Sequence, residues 1–254
     1  MHIKTATLNH VATVEIARPE KKNAITADMY AAMAGALSAA ALDPDARSVL
    51  IVGQPGIFTA GNDLEDFLQR PPQDEASPVF EFMRALTACE KPVIAAVTGA
   101  AIGIGTTMLL HCDLVYVSDE ARLALPFTSL GLVPEFASSV VLPRLVGHAR
   151  AAEKLLLGDP FGGAEAVELG IANAVLPAGE VVNHARRVAE RFNALPPAAV
   201  RESKRLMRRA HADAVRDAIA AEGAVFRERL SSPEAREAFS AFFQKRKPDF
   251  TQFQ

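Results

Sequence analysis

The 254-residue chain has no tryptophan, two tyrosines and two cysteines, and its formal net charge is only −3. Each shortage excludes something. Acidic and basic residues are interspersed, so no global field draws nucleic acid or a membrane surface, and a ligand must be recognised locally. Cys89 and Cys112 are too few for a disulfide framework. Met1-His2-Ile3-Lys4 runs straight into an alternating strand pattern, without a charged n-region and apolar h-region. A reduced, cytoplasmic compartment is therefore expected. The longest apolar run, Thr98 to Leu110, carries three glycines and falls short of the ~20 apolar residues that a membrane helix takes. The histidines stand scattered at 2, 10, 111, 148, 184 and 211, with no His-Glu-x-x-His or Cys-x-x-Cys pairing. No bound metal is expected.

What is present is apolar material: 50% of the residues are hydrophobic and 22% charged, enough for a sizeable core in one domain with an appendage. Residues 2 to 8 and 11 to 17 alternate around Asn9-His10 as a hairpin. Thr26 is placed to cap a helix in which Met29, Met33, Leu37 and Ala40 recur at helical spacing. Ser48 to Val52, Pro92 to Val97 and Leu114 to Val117 read as buried strands. Between them lie the loop Gly53 to Asn62, helices at 63 to 69 and 77 to 89, and a glycine-rich turn leading into a helix that ends at His111. Strands alternating with helices predict a parallel α/β core. From Glu135 onward only Ala174 to Leu176 reads as a strand, among helices at 135–146, 147–157, 163–169 and 179–193. Pro196-Pro197 then divides a core at 1–195 from a helical region at 196–254, with helices at 197–210, 213–229 and 232–244. The apolar stripe of the first of these, Val200, Leu206 and Met207, is expected to pack outside the core, on another subunit. Arg201, Lys204, Arg205, Arg208 and Arg209 form a basic stripe interrupted by Glu202, which reads as a solvated face rather than an RNA site.

Two loops carry chemistry. Phe58-Thr59-Ala60-Gly61-Asn62-Asp63-Leu64 uses small residues that let backbone approach a ligand, although an ordinary turn has the same composition. Thr98-Gly99-Ala100-Ala101-Ile102-Gly103-Ile104-Gly105 follows a strand and opens a helix, offering free backbone N–H groups at a positive dipole end. Such a terminus holds developing negative charge. A dinucleotide fingerprint fails because Thr106-Thr107-Met108 follows where its third glycine belongs, and no Gly-Lys-Ser/Thr makes a phosphate loop.

Both loops, together with Arg18-Pro19 to Asn23-Ala24, Cys112-Asp113 and Ala241-Phe242-Phe243-Gln244-Lys245-Arg246-Lys247-Pro248, resemble the crotonase (enoyl-CoA hydratase/isomerase) superfamily over essentially the whole chain. The resemblance implies an acyl-CoA thioester as ligand, with coenzyme A arriving as part of the substrate and no other cofactor. It implies an α/β spiral of ββα repeats of the ClpP-like kind, and a helical C-terminal region that packs trimers or hexamers. By position the oxyanion hole would be the N–H groups of Ala60 and Ile104. Ile104 stands where the family often has glycine, but any residue except proline supplies the donor. Lys21, Lys22, Ala24, Phe58, Gly61, Asn62, Asp63, Leu64, Gly103, Phe127 and Lys245 would line the substrate and CoA site, with Lys247 beside it. The lysines equally suit a solvated face, and Asp63 a helix cap.

The departures are as informative as the matches. Typical hydratases of this family carry one glutamate in the helix after the glycine turn and another after the third strand, and here those positions hold Thr107 and Phe127. Neither serves as a general acid or base near neutral pH. A carboxylate stands instead at Gly131-Leu132-Val133-Pro134-Glu135-Phe136-Ala137-Ser138-Ser139, which resembles the peroxisomal-type Δ3,Δ2-enoyl-CoA isomerases, where a single glutamate is the base. Glu135 also fits the first turn of a helix, where acidic residues are favoured by the dipole. Phe127, Leu130, Leu132 and Phe136 would exclude water around it and raise its pKa, or simply pack. His111 and Cys112 are expected in the core and Asp113 as a strand anchor. The leading expectation is an isomerase; hydration, dehalogenation or another enolate reaction, and a non-catalytic CoA-ester binder or assembly subunit, are the competing readings.

Overall fold

A computed structural model describes residues 2–253. Two sheets run side by side through it. The larger has strand order β1 (Ile3–Leu8), β2 (Val11–Ile16), β3 (Ser48–Val52), β5 (Val93–Val97), β7 (Leu114–Ser118) and β10 (Ala174–Leu176), parallel from β2 onward. The smaller pairs β4 (Ile57–Thr59), β6 (Ala100–Ile102) and β8 (Arg122–Ala124) in parallel and β9 (Phe161–Gly162) antiparallel. Every residue of β3 and β5 is buried, as continuous apolar runs covered on both faces must be. The β1–β2 hairpin turns through Asn9 and His10, both at positive φ, which matches the twist of the flanking strands.

Each of three successive chain turns gives one strand to the large sheet and the next to the small one: β3 then β4, β5 then β6, β7 then β8. This is the expected spiral. The helices between are α1 (Ala27–Leu42), α2 (Leu64–Gln69), α3 (Pro78–Ala88) and α4 (Ile104–Thr107), the last continued by a 3-10 turn over Met108–His111. Thr26 caps α1 by accepting from the Met29 N–H. Downstream come α5 (Ser138–Val146), α6 (His148–Ala152), α7 (Gly163–Glu168), α8 (Val181–Arg191), α9 (Pro197–Arg209), α10 (Ala212–Leu230) and α11 (Pro233–Phe243). Phe226 of α10 and Ala235 and Phe239 of α11 join the main hydrophobic cluster. The helical region thus packs directly on the core.

Two expectations need correction. The passage 53–62 is not all loop, because β4 lies within it, and β6, β8 and β9 were hidden as well; strands of two or three residues are too short to show alternation. The basic stripe of α9 is not one solvated face: Lys204 is buried and donates to Asp113 (2.6 Å) and to the Lys91 carbonyl (2.6 Å), and Arg208 donates to Asp113 (3.0 Å). Long basic side chains reach inward when a buried carboxylate waits for them. Leu206 and Met207, on the same helix, are exposed at 59% and 80%. No helix is long and apolar enough to cross a membrane.

Candidate active site

The small sheet brings the two chemical loops together. Gly61 sits at φ +90°, and a Cβ there would lie 2.8 Å from the Ile102 carbonyl; a Cβ on Gly105 would lie 2.6 Å from Thr59 Cγ2. Only glycine permits this approach. The Arg18–Ala24 segment laces onto the first loop. Buried Asn23 accepts from the Arg18 N–H (2.7 Å) and donates to the Phe58 carbonyl (3.0 Å), while Thr59 Oγ1 donates to the Asn23 carbonyl (2.7 Å).

Between these loops opens a cavity of about 500 Å³. Lys21, Lys22, Ala24, Ala60, Gly61, Asn62, Asp63, Leu64, Gly103, Ile104, Phe127 and Glu135 all line it, with Phe67, Leu130, Leu132 and Phe226 supplying apolar wall. Two expected residues do not. Phe58 is fully buried in the core, since its side chain points away from the loop that its carbonyl helps to hold. Lys245 follows the end of α11, and it is Phe242 and Phe243 that reach the rim. Asp63 lines the wall, but its carboxylate is engaged: it caps α2 through the Glu65 and Asp66 N–H groups (3.1 and 3.0 Å) and accepts from Arg18 (2.6 Å). Burial works against its charge, and the Asp66 N–H and the Arg18 guanidinium overcome that, holding the carboxyl below its ordinary range.

The two expected oxyanion donors differ. Ile104 opens α4, so its N–H has no intrahelical acceptor, and among the described residues it donates to none. The Ala60 N–H instead donates to the Lys22 carbonyl (3.0 Å), because Lys22 sits in the left-handed region and turns its oxygen toward the loop. One donor is open; the other is covered.

Glu135 is the residue that the sequence singled out as the acid-base group. It does not stand in the first turn of α5, because Phe136 and Ala137 intervene, both left-handed at φ +57° and +56°. Those turns release it from the helix. The residue is 6% exposed, lines the cavity, and also lines a small apolar pocket of about 20 Å³ behind it with Phe80, Met83, Phe136 and Ile219. Its Oε1 is buried with no hydrogen-bond partner among the described residues. Burial, helped by the neighbouring Glu222 charge, pushes its carboxyl up to about 8. A buried carboxyl without a partner, facing a cavity, is poised to exchange a proton with something inside.

The sequence family model described as enoyl-CoA hydratase/isomerase matches residues 6–254. The chain belongs to the enoyl-CoA hydratase/isomerase family. It is 30% identical to a probable enoyl-CoA hydratase of Bacillus subtilis over 98% of both chains. It is 34% identical to human enoyl-CoA delta isomerase 2 over 90% of this chain and 60% of that protein. Among solved structures, an enoyl-CoA hydratase/isomerase from Pseudoalteromonas atlantica superposes with a TM-score of 0.94 at 41% identity, covering 99% of this chain and 100% of that one. OdaA from Pseudomonas aeruginosa superposes at 0.93 with 52% identity, covering 95% and 98%.

The two positions that the resemblance matches to the hydratase glutamates hold Thr107 and Phe127. Thr107 is fully buried, off the cavity, its hydroxyl donating to the Ile104 carbonyl (3.4 Å), and Phe127 presents a ring. Two neighbours of Glu135 escaped the sequence reading. Tyr30, on α1, donates its hydroxyl to Asn62 Oδ1; burial first and the Glu135 charge second push its phenol well up. Glu222, on α10, is the other. Its signal was present: it interrupts the apolar series Ile219, Gly223, Phe226, a position where a carboxylate is costly unless hydrogen-bonded.

Proposed function

We propose that this family member is a Δ3,Δ2-enoyl-CoA isomerase. The observation that carries the proposal is Glu135: of the three carboxylates that line the cavity, Asp63 is engaged by Arg18 and the α2 N–H groups and Glu65 is exposed, whereas Glu135 is buried with an unpartnered oxygen. The thioester oxygen sits against the Ile104 N–H, and the Ala60 N–H joins when the Lys22 carbonyl gives way. A Glu135 oxygen takes the proton from C2 of the 3-enoyl thioester; the C2–H electrons delocalise into a dienolate, and the oxyanion donors stabilise its charge. The same carboxyl then returns the proton to C4, leaving the double bond between C2 and C3. One base on one face of the chain is enough, because no water is added.

Hydration calls for a second carboxylate to manage a water: Asp63 lines the cavity but is engaged by Arg18 and the α2 N–H groups, Glu65 is exposed beside Lys21, and the neighbouring Glu222 does not line the cavity and has its oxygens engaged by Ala137 and Ser139. Lys21 and Lys22 at the cavity mouth suit the CoA phosphates as flexible point charges, and coenzyme A enters as part of the substrate with no further cofactor. Formation of the conjugated 2-enoyl thioester from 3-enoyl-CoA, followed by ultraviolet absorbance, tests the reading. Wild type turns over and Glu135→Gln does not. A wild type silent on short, medium and long chains that still binds CoA esters overturns it, in favour of another enolate reaction or a binding role.

A further inference from the structure

The corner that presents Glu135 is held from outside the cavity. Phe136 and Ala137 are both left-handed, a conformation costing non-glycine residues about 1 kcal/mol or more each, and it persists only where the surroundings over-determine it. Two groups do so. His111 Nε2 donates to the Phe136 carbonyl (2.7 Å), with the two rings stacked at 4.2 Å. On the other side, the buried Glu222 carboxylate accepts from the Ala137 N–H (2.6 Å), the Ser139 N–H (2.9 Å) and Ser139 Oγ. Three donors converge on one carboxylate from the residues that immediately follow Glu135.

Resting on the reading of Glu135 as the base, we propose that Glu222 is a positioning residue: its carboxylate clamps the left-handed corner so that Glu135 is aimed into the cavity, and its negative charge makes Glu135 a stronger base. The donors fall on both oxygens, Oε2 taking the Ala137 N–H and Oε1 the Ser139 N–H and hydroxyl, an arrangement that an acceptor-only carboxylate satisfies in full. Burial leaves the Glu222 carboxyl above its ordinary value, although the bonds from Ser139 and Ala137 pull the other way. The groups facing Glu135 are Tyr30 from α1 and Glu222 from α10. His111 binds only the neighbouring carbonyl, and the Arg227 guanidinium lies over the Phe80 ring at 5.6 Å. Among the described residues, neither carboxylate has a cation to offset the other.

The test follows the Glu135 carboxyl directly, by ¹³C NMR titration of glutamate-labelled protein, beside the pH profile of kcat/KM. The wild-type resonance that Glu135→Gln removes should titrate near 8. In Glu222→Gln its midpoint and the rising limb of kcat/KM move down together by roughly one pH unit, and kcat falls. Glu222→Asp keeps the charge but shortens the clamp, so kcat falls while the midpoint stays. A Glu222→Gln midpoint and kcat equal to wild type would overturn the proposal and leave Glu222 a plain helix cap. If Glu222→Gln does not fold, Glu222→Asp decides alone: a moved midpoint or an undiminished kcat overturns it. Failure of the isomerase reading is distinguishable, because wild type then lacks turnover while the NMR midpoint still responds to Glu222.

Discussion

Two acidic residues, the half-buried Asp113 and the buried Glu135, have opposite surroundings. Asp113, where β7 begins, accepts from the Val93 N–H (2.7 Å), from Lys204 (2.6 Å) and from Arg208 (3.0 Å), and so ties β5 to α9. Glu135 faces a cavity with one oxygen bonded to nothing and a second carboxylate as its neighbour. The first is satisfied as a structural anchor is, and the second is left bare as the proposed role of Glu135 as a base requires.

Exchanging the charges for neutral groups should separate the two most sharply. Glu135→Gln is expected to lower turnover roughly 10³-fold, with the thermal midpoint near pH 8 unchanged or raised. Asp113→Ala should behave in reverse, losing about 3 kcal/mol in denaturant unfolding, because Lys204 is left buried and unpaired, while the folded fraction retains its kcat. A Glu135→Gln variant that loses stability but keeps its rate would erase the distinction.

pH sharpens the same contrast. Since Glu135 must be ionised to accept a proton, kcat/KM should rise as pH rises through about 8. Stability runs the other way. Between the ordinary carboxyl value of 4.5 and about 8 the folded state holds a proton that the unfolded state has lost, so unfolding free energy contributed by Glu135 declines across that window and levels off above it. His111, pushed down to about 4 by burial, opposes this below its ordinary 6.5, where the unfolded state takes the extra proton and acid destabilises. Unfolding measured across pH 4 to 9 should therefore show a decline toward 8 that Glu135→Gln flattens. The smallest effect is expected at Ile104: Ile104→Ala keeps the backbone donor and should change kcat less than about tenfold, well under the loss of a donor itself.

Much of this contrast was legible in the sequence. The buried strands β3, β5 and β7 announced themselves as apolar runs, and Thr26 and the glycine loops as local chemistry. Asp113 read as an anchor, although its partners Lys204 and Arg208 did not, because a run of five basic residues gives no sign of which ones turn inward. The small sheet escaped for lack of length. Glu135 was found by its place in a motif, whereas its release from α5 depends on two left-handed residues, Phe136 and Ala137, whose types do not advertise that conformation. Glu222 lay 87 positions further along the numbering from Glu135, and only packing of α10 onto α5 brings the two together.

The alternation of strands between the two sheets also acts as a ruler. Neighbouring strands stand about 4.8 Å apart, so the residues that leave β4 and β6 emerge one strand-width from each other. That separation is about what a single oxygen needs to lie within hydrogen-bond reach of both Ala60 and Ile104. The span of the proposed anion seat, formed once the Lys22 carbonyl releases the Ala60 N–H, would thus be set by the pitch of the backbone, and side chains beyond it could be exchanged for new substrates without resetting that distance.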